Sequence, residues 1–191
     1  MVAENSKNYT LQKYLQEEAK SIEKYEFTNR KMVKTPTFNG SCNILLANLN
    51  STMVQAVEDL EENYIIFSSN QKIYFPKLDE VVYSNLSAVC EKPIYWDDEE
   101  LLLINPILVV EVLSKSTQKY DRTGKFDKYK TLESIREYVL IRQDQCYAEV
   151  WYREKPGLWK ETIINDISNV LPLQSVGIEL SLLRIYKNVK L

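Results

Sequence analysis

The segment ILVVEVLS, residues 107–114, constrains the fold more than any other part of the chain. It is apolar at successive positions, which is typical of a central strand that is covered on both faces. Such a strand requires further elements packed on each side of it. One carboxylate, Glu111, nevertheless lies in its middle, where an unpaired charge is costly or becomes protonated. Glu111 therefore needs a partner.

Helical and extended patterns alternate around this strand. Apolar residues three or four positions apart predict helices over residues 10–24 and 43–61. Short aromatic and β-branched segments follow from residue 63 and predict strands. A further helix is predicted over 123–131, and three strands and a short helix over 179–189 complete the chain.

This order predicts a single domain of the mixed α/β (α+β) class. Residues 1–62 supply N-terminal helices and a hairpin, and residues 63–191 supply the sheet core with the candidate site. A chain of 191 residues is long enough to bury a core without disulfides. The three cysteines form no C-x-x-C pair, which favours reduced thiols in the cytoplasm. The polar N-terminus and the short apolar runs predict no secretion signal and no membrane span.

The chain contains no histidine. This excludes Ser-His-Asp and Cys-His catalysis and histidine-ligated metal sites. Any chemistry must use carboxylates, lysines, tyrosines, cysteines or a hard cation held by oxygen atoms. The net charge of −3 lacks the basic excess of most nucleic-acid binders, so DNA would have to bind a local patch.

A basic segment follows the central strand at once. One interpretation is that Glu111 binds Mg²⁺ and that this segment contacts phosphates; the other is a structural ion pair beside a solvated helix face. The candidate phosphate contacts are Lys115, Lys119, Arg122 and Lys128. The residue types alone leave both interpretations open.

Several segments, in the same order, resemble the Uma-two (Uma2) family of restriction-endonuclease-like proteins. The main match is NPILVVEVLSKSTQKYDRTGKFDKYKTLESIREYVLI, and further matches are EKYEFTNRKMV, NGSCNILLANL, FSSNQKIYFP and VYSNLSAVCEKPIYWDD. The resemblance implies the PD-(D/E)XK nuclease fold, in which a mixed sheet is flanked by helices. It also implies DNA as the substrate, Mg²⁺ or Mn²⁺ as the cofactor and a homodimer.

The resemblance assigns site roles residue by residue. Glu111 corresponds to the metal-binding glutamate, and the carbonyl of Val112 to the backbone metal ligand. Lys125 corresponds to the catalytic lysine, which this family carries on the following helix, and Glu26 to an early glutamate close to the metal. Asn85 stands where the family has an aspartate ligand.

Asn85 removes one negative charge from the implied metal site. The resemblance therefore implies a metal-dependent endonuclease whose hydrolysis of DNA phosphodiester bonds is weakened or lost. A cation would activate the attacking water, and an ammonium would stabilise the transition state. Two alternatives stay open. One is a non-catalytic module that binds DNA or a protein through residues 115–130, and the other is a homodimer that uses exposed aromatic residues such as Trp151 or Trp159.

Overall fold

The computed structural model describes residues 8–114 and 117–191. Lys115, one of the predicted phosphate contacts, lies outside the described residues. The helices are α1 (Leu11–Glu18), α2 (Gly40–Val57), α3 (Gln118–Tyr120), α4 (Phe126–Tyr129) and α5 (Leu182–Ile185). A π-helical turn, Asp121–Lys125, joins α3 and α4 into one continuous helix.

Thirteen strands are found within the described ranges. They are β1 (Tyr25–Thr28), β2 (Lys31–Lys34), β3 (Tyr64–Ser68), β4 (Lys72–Phe75), β5 (Glu80–Tyr83), β6 (Leu86–Cys90), β7 (Leu102–Leu103), β8 (Leu108–Leu113), β9 (Glu137–Arg142), β10 (Ala148–Lys155), β11 (Leu158–Ile164), β12 (Val170–Leu173) and β13 (Ile178–Ser181). A six-stranded sheet has the order β11-β10-β9-β8-β6-β3, and a five-stranded sheet has the order β2-β1-β5-β4-β7. The β12–β13 hairpin forms a separate two-stranded sheet.

Strand β8 is buried on both faces, as its sequence predicts. It runs parallel to β9 and antiparallel to β6. Because side chains alternate along a strand, one face directs Leu108, Val110 and Val112 into a core built with α2, α5 and the β12–β13 hairpin. The other face directs Val109 and Leu113 towards the α3–α4 helix and the five-stranded sheet.

Helix α2 covers the first face of β8, and its ends follow local chemistry. The side chain of Asn39 caps it by accepting a 2.9 Å hydrogen bond from the N–H of Cys42. Leu45, Leu49 and Met53 lie at helical spacing and are fully buried. The prediction of a helix over 43–61 is confirmed, with bounds three to four residues earlier in the chain.

The predicted helix over 179–189 is only partly correct. Residues Ile178–Ser181 form β13, and only Leu182–Ile185 is helical. Ile178 and Leu180 are buried whereas Glu179 between them is exposed, which is the alternation of a strand. Pairing with β12 decides the structure of these residues.

The two tryptophans suggested for an interface are partly buried against the core. Trp151 and Trp159 place their rings 5.5 and 5.1 Å from the ring of Phe126 in α4. They are partly buried against the core between the α3–α4 helix and the sheet. The homodimer, and a part for these two side chains in its interface, stay predictions. No helix among the described residues is long and apolar enough to cross a membrane.

Candidate active site

Glu111 lies on the face of β8 that packs against the α3–α4 helix. The alternation of the strand places it between Val109 and Leu113 on that face. Its side chain is 2% exposed. Its Oε1 lies 2.9 Å from the Nζ of Lys125 and accepts a 3.3 Å hydrogen bond from the Tyr129 hydroxyl. The carboxyl group that lacked a partner in the sequence therefore has one in the buried Lys125 ammonium.

Lys125 connects three strands to the helix that carries it. Its Nζ donates a 2.8 Å hydrogen bond to the carbonyl of Tyr83, at the end of β5, and lies 3.6 Å from Oε1 of Glu26 in β1. The same Glu26 oxygen accepts a 3.2 Å hydrogen bond from the N–H of Tyr83. Removing one partner of a buried pair leaves an uncompensated charge. Lys125 therefore holds β1, β5 and β8 against the helix.

The π-helical turn places two charged residues on the cavity side of the helix. Turns of this kind are rare and occur frequently at functional sites. This one begins at Asp121 and ends at Lys125, and both side chains are 5% exposed. Gly124 packs against the ring of Tyr120, because a Cβ at this glycine would lie 3.2 Å from two ring carbons. A larger residue at position 124 would displace that ring.

The electrostatics of this cluster favour a protonated Glu111. Burial raises the pKa of Glu111 to about 8, against the attraction of the Lys125 ammonium, and the negative charges of Asp121 and Glu26 add to the increase. Burial alone would lower the pKa of Lys125, but attraction to the three carboxyl groups outweighs it and raises this pKa. Lys125 is therefore the ammonium of the cluster.

Asn85 lies between β5 and β6, beside this cluster. Its Oδ1 accepts a 2.6 Å hydrogen bond from the N–H of Val112. Because the N–H and C=O of one residue point to the same side of an extended strand, the Val112 carbonyl also faces this side. The amide oxygen of Asn85 thus accepts from the backbone with one of its two lone pairs, and its NH₂ group is a donor at the same position.

One cavity of about 420 Å³ brings these residues together. Its wall includes Glu26, Asn85, Glu111, Val112, Asp121 and Lys125. A second cavity of about 490 Å³ adjoins it, since Asn39, Ser114 and Gln143 line both. Two basic side chains, Arg142 and Lys190, line the second cavity.

A family model described as "Putative restriction endonuclease", Uma2, matches residues 11–183. The chain belongs to the Uma2 family. Two curated relatives from Synechocystis are both described as uncharacterised proteins. The protein sll1609 is 30% identical over 154 residues, which is 81% of this chain and 85% of that protein. The protein slr1290 is 26% identical over 182 residues, which is 93% of this chain and 91% of that protein.

A solved structure supports the fold expected of a Uma2 protein. The crystal structure of a protein from Anabaena variabilis, described as "a putative nuclease belonging to DUF820", superimposes with a TM-score of 0.74. The match covers 93% of this chain and 97% of the other at 16% identity. The prediction of a restriction-endonuclease-like mixed sheet flanked by helices is confirmed.

The structure places all five residues predicted from the Uma2 pattern around the 420 Å³ cavity. Glu111, Lys125 and Glu26 form one charged group, and Asn85 contacts the backbone of Val112. Their roles in catalysis and metal binding stay predictions. The structural interpretation of Glu111 is also compatible with the structure, because Glu111 contacts the buried Lys125 ammonium.

The oxygen atoms at this Uma2 site are of the chemical types that bind hard divalent cations. Mg²⁺ prefers carboxylates, carbonyls and water, and Glu111, Glu26 and the Val112 carbonyl offer such groups. The site has one anionic ligand fewer than the Uma2 pattern, because Asn85 is neutral. Within residues 8–114 and 117–191, no group of three His, Cys, Asp or Glu side chains is arranged to hold a metal ion. Metal binding by Glu111 and the Val112 carbonyl stays a prediction.

The basic segment after β8 is largely neutralised by internal ion pairs. Arg122 Nη2 lies 2.6 Å from Oε1 of Glu149. Lys128 Nζ lies 2.9 Å from Oε2 of Glu80, and Lys128 is 8% exposed. These two cations serve packing in this structure, and their predicted contacts with phosphates would compete with those pairs.

Other basic residues of the segment divide between the surface and the interior. Lys119 is exposed and is free to approach a polyanion. Lys125 is buried, so a solvated helix face is the wrong interpretation for it and for Lys128. Electrostatic attraction of DNA to this segment is correspondingly smaller than the count of lysines indicates.

Sequence reasoning missed three groups at the site. Asp121 precedes Lys125 by four residues, but the predicted helix began at residue 123 and so excluded it. Tyr83 contacts Lys125 and Glu26 through backbone atoms, which its residue type does not indicate. Ser84 is completely buried beside Asn85, and a serine in a turn carries no signal of burial.

Proposed function

We propose that this Uma2 protein is a metal-dependent DNA phosphodiesterase whose turnover is low because Asn85 replaces an anionic ligand. The observation that carries the proposal is the buried Glu111–Lys125 pair, with Glu26, in the wall of a cavity. Buried ion pairs are often no more stabilising than apolar packing. Charged groups gathered in a cleft therefore favour a chemical role over a structural one.

Each residue of the site would have a separate role in hydrolysis. The Lys125 ammonium would orient the attacking water and stabilise the negative charge that develops on the phosphoryl oxygens. Glu26 and the Tyr83 carbonyl hold Lys125 in place. Glu111 and the Val112 carbonyl would hold Mg²⁺ or Mn²⁺, which, when bound, neutralises phosphate charge and lowers the pKa of water. We propose the cytoplasm as the location, where DNA and Mg²⁺ occur together.

A second candidate function is favoured by the hydrogen bond between Asn85 and Val112. That contact leaves an NH₂ donor at the position where a nuclease needs a carboxylate. A donor at this position repels a cation but binds a phosphate or carboxylate oxygen. In this case the cavity would bind DNA or a protein, as a monomer or a homodimer, without hydrolysis.

Plasmid cleavage in Mg²⁺ and in Mn²⁺ distinguishes the two functions. We expect slow nicking by the native protein, loss of nicking in Glu111→Gln and Lys125→Met, and no change in Lys130→Ala, which alters an exposed pair with Asp127. Circular dichroism checks the fold of each variant. Cleavage only after Asn85→Asp would establish the non-catalytic function for the native chain. No cleavage by either protein would overturn the proposal of hydrolysis.

A further inference from the structure

The hairpin that carries Glu26 presents further side chains to the 420 Å³ cavity. Glu26 in β1 lies opposite Val33 in β2. Lys24 lies two residues before Glu26, and its carbonyl accepts a 2.9 Å hydrogen bond from the N–H of Thr35. Side chains at alternate positions of a strand, and those directly opposite in an antiparallel pair, share one face. Lys24, Val33 and Thr35 therefore continue the face of Glu26, and all three line the cavity.

The Lys24 ammonium is held by neutral groups. It donates hydrogen bonds of 2.9 Å to the carbonyl of Ser69 and of 2.6 Å to Oδ1 of Asn70, which uses two of its three N–H groups. Within the described ranges, no acid forms an ion pair with it. Partial burial lowers the pKa of Lys24. An anion bound next to this ammonium would therefore offset part of the cost of its desolvation.

The acids of the cavity act on a different lysine. Glu26, Glu111 and Asp121 all attract the ammonium of Lys125 in the interior. The charges that act on Lys24 come from outside this group, namely from Glu18 and Lys72, which form an ion pair with each other at 3.0 Å. The cavity thus has an acidic interior and a positive charge on its outer wall. Each phosphodiester group of a nucleic acid carries one negative charge, which matches a single ammonium.

An exposed aromatic ring belongs to the same outer wall. Phe38 is 37% exposed and Val33 is 47% exposed, and both line the cavity. Phe38 directly precedes Asn39, whose side chain caps α2, so this segment is anchored to the helix at one end. Aromatic rings next to cations are the groups with which proteins bind the bases and phosphates of unpaired nucleic-acid strands.

The size of the cavity limits the form of its ligand. Its volume of about 420 Å³ lies in the usual range of small-molecule pockets and is far too small for a double helix. A base inside a duplex has to leave the stack before it can contact a side chain in such a pocket, which costs a few kcal/mol. A base of an unpaired strand does not have this cost.

We infer that Lys24 and Phe38 form a subsite for one nucleotide of an unpaired DNA strand, beside the site of Glu111 and Lys125. The inference rests on the proposed function and names its substrate class, which is single-stranded or locally unpaired DNA. Lys24 would donate its third N–H group to a phosphate oxygen, and the base would pack against the ring of Phe38. Since two residues of a strand span about 7 Å, this nucleotide would lie next to Glu26 and the group it holds.

Fluorescence anisotropy with a labelled single-stranded oligodeoxynucleotide, alone and annealed to its complement, tests the substrate class. EDTA in the buffer prevents cleavage, so the measurement does not depend on a metal ion. We expect the single strand to bind at least about tenfold more tightly than the duplex, because its bases are not stacked in a helix. An oligonucleotide of abasic residues keeps the phosphates and should bind the native protein at least about fivefold more weakly than the normal single strand.

Variants of the two residues test the subsite itself. Phe38→Leu keeps an apolar side chain without a ring and should weaken single-strand binding about fivefold or more, whereas Phe38→Trp should not. Lys24→Gln removes one phosphate contact and should reduce the slope of log affinity against log salt by about 0.7. The matched control is Lys20→Gln, which removes the same charge from an exposed position outside the cavity wall and should leave the slope unchanged. Circular dichroism checks the fold of each variant.

The contrary results are equally specific. Binding of the duplex as tightly as the single strand would overturn the substrate class, and so would failure to bind either oligonucleotide. Unchanged single-strand affinity in Phe38→Leu, with an unchanged salt slope in Lys24→Gln, would overturn the subsite. If Phe38→Leu does not fold, equal affinity of the native protein for the abasic and normal strands refutes the contact with the base. The proposed hydrolysis is decided separately, by the loss of plasmid nicking in Glu111→Gln and Lys125→Met.

Discussion

Asn85 Oδ1 accepts a 2.6 Å hydrogen bond from the N–H of Val112, so the side chain at the expected ligand position is tied to the strand that carries Glu111. An aspartate could accept the same hydrogen bond with one oxygen and keep the other free. The asparagine accepts it with its only oxygen. At this position the chain therefore differs from the Uma2 pattern by one negative charge.

Asn85→Asp should strengthen Mn²⁺ binding by at least about tenfold, because it adds an anionic ligand next to the Val112 carbonyl. Calorimetry measures the affinity directly. Asn165→Asp, which adds the same charge at an exposed position, is the control and should have no effect. An unchanged affinity in Asn85→Asp would mean that the cation does not bind next to this residue.

Lys125→Met should lower the free energy of unfolding by about 3–5 kcal/mol, the usual effect of removing one partner from a buried ion pair. Glu26 would lose the ammonium that faces it, and Glu111 would lose a polar partner, while both remain buried. Urea unfolding measures the change. Lys130→Ala breaks an exposed pair with Asp127 and should cost less than about 1 kcal/mol. Equal losses in the two variants would show that Lys125 is not a structural link.

Stability should decline as the pH rises, because the pKa of Glu111 is about 8 in the folded protein and near 4.5 in an unfolded chain. Between these values the folded protein retains a proton that the unfolded chain has released. The stabilisation is complete below about pH 4.5 and is lost as the pH rises through about 8. Glu111→Gln does not titrate at this position, so its free energy of unfolding should depend less on pH. Urea unfolding at several pH values from about 5 to 8 measures this dependence. The same change in unfolding free energy with pH in the native protein and in Glu111→Gln would contradict this assignment.

Leu49→Ala should destabilise the protein by about 2–5 kcal/mol, because it opens a cavity in the core between α2 and the sheet. Val54→Ala is the matched substitution on the same helix, where the side chain is 45% exposed, and should change stability by about 0.5 kcal/mol or less. Thermal or urea unfolding compares the two variants. Similar losses would mean that α2 does not cover β8 through this face.

The sequence predicts the central strand of this fold well, because a strand buried on both faces, such as β8, has apolar residues at successive positions. It predicts the convergence of Glu111 and Lys125 only through the resemblance to the family, since they are fourteen residues apart and meet by tertiary packing. The start of the α3–α4 helix and strand β13 were not predicted correctly. The first begins with polar residues, and the second depends on pairing with β12 rather than on its own pattern.

The π-helical turn makes the site sensitive to the length of the chain and not only to its composition. An α-helix advances by about 100° per residue, so inserting two residues between Asp121 and Lys125 would turn one of them away from the cavity. Every charged side chain would still be present in such a protein. A change in the length of this turn would therefore take the charged cluster apart in a protein whose sequence still contains each of its side chains.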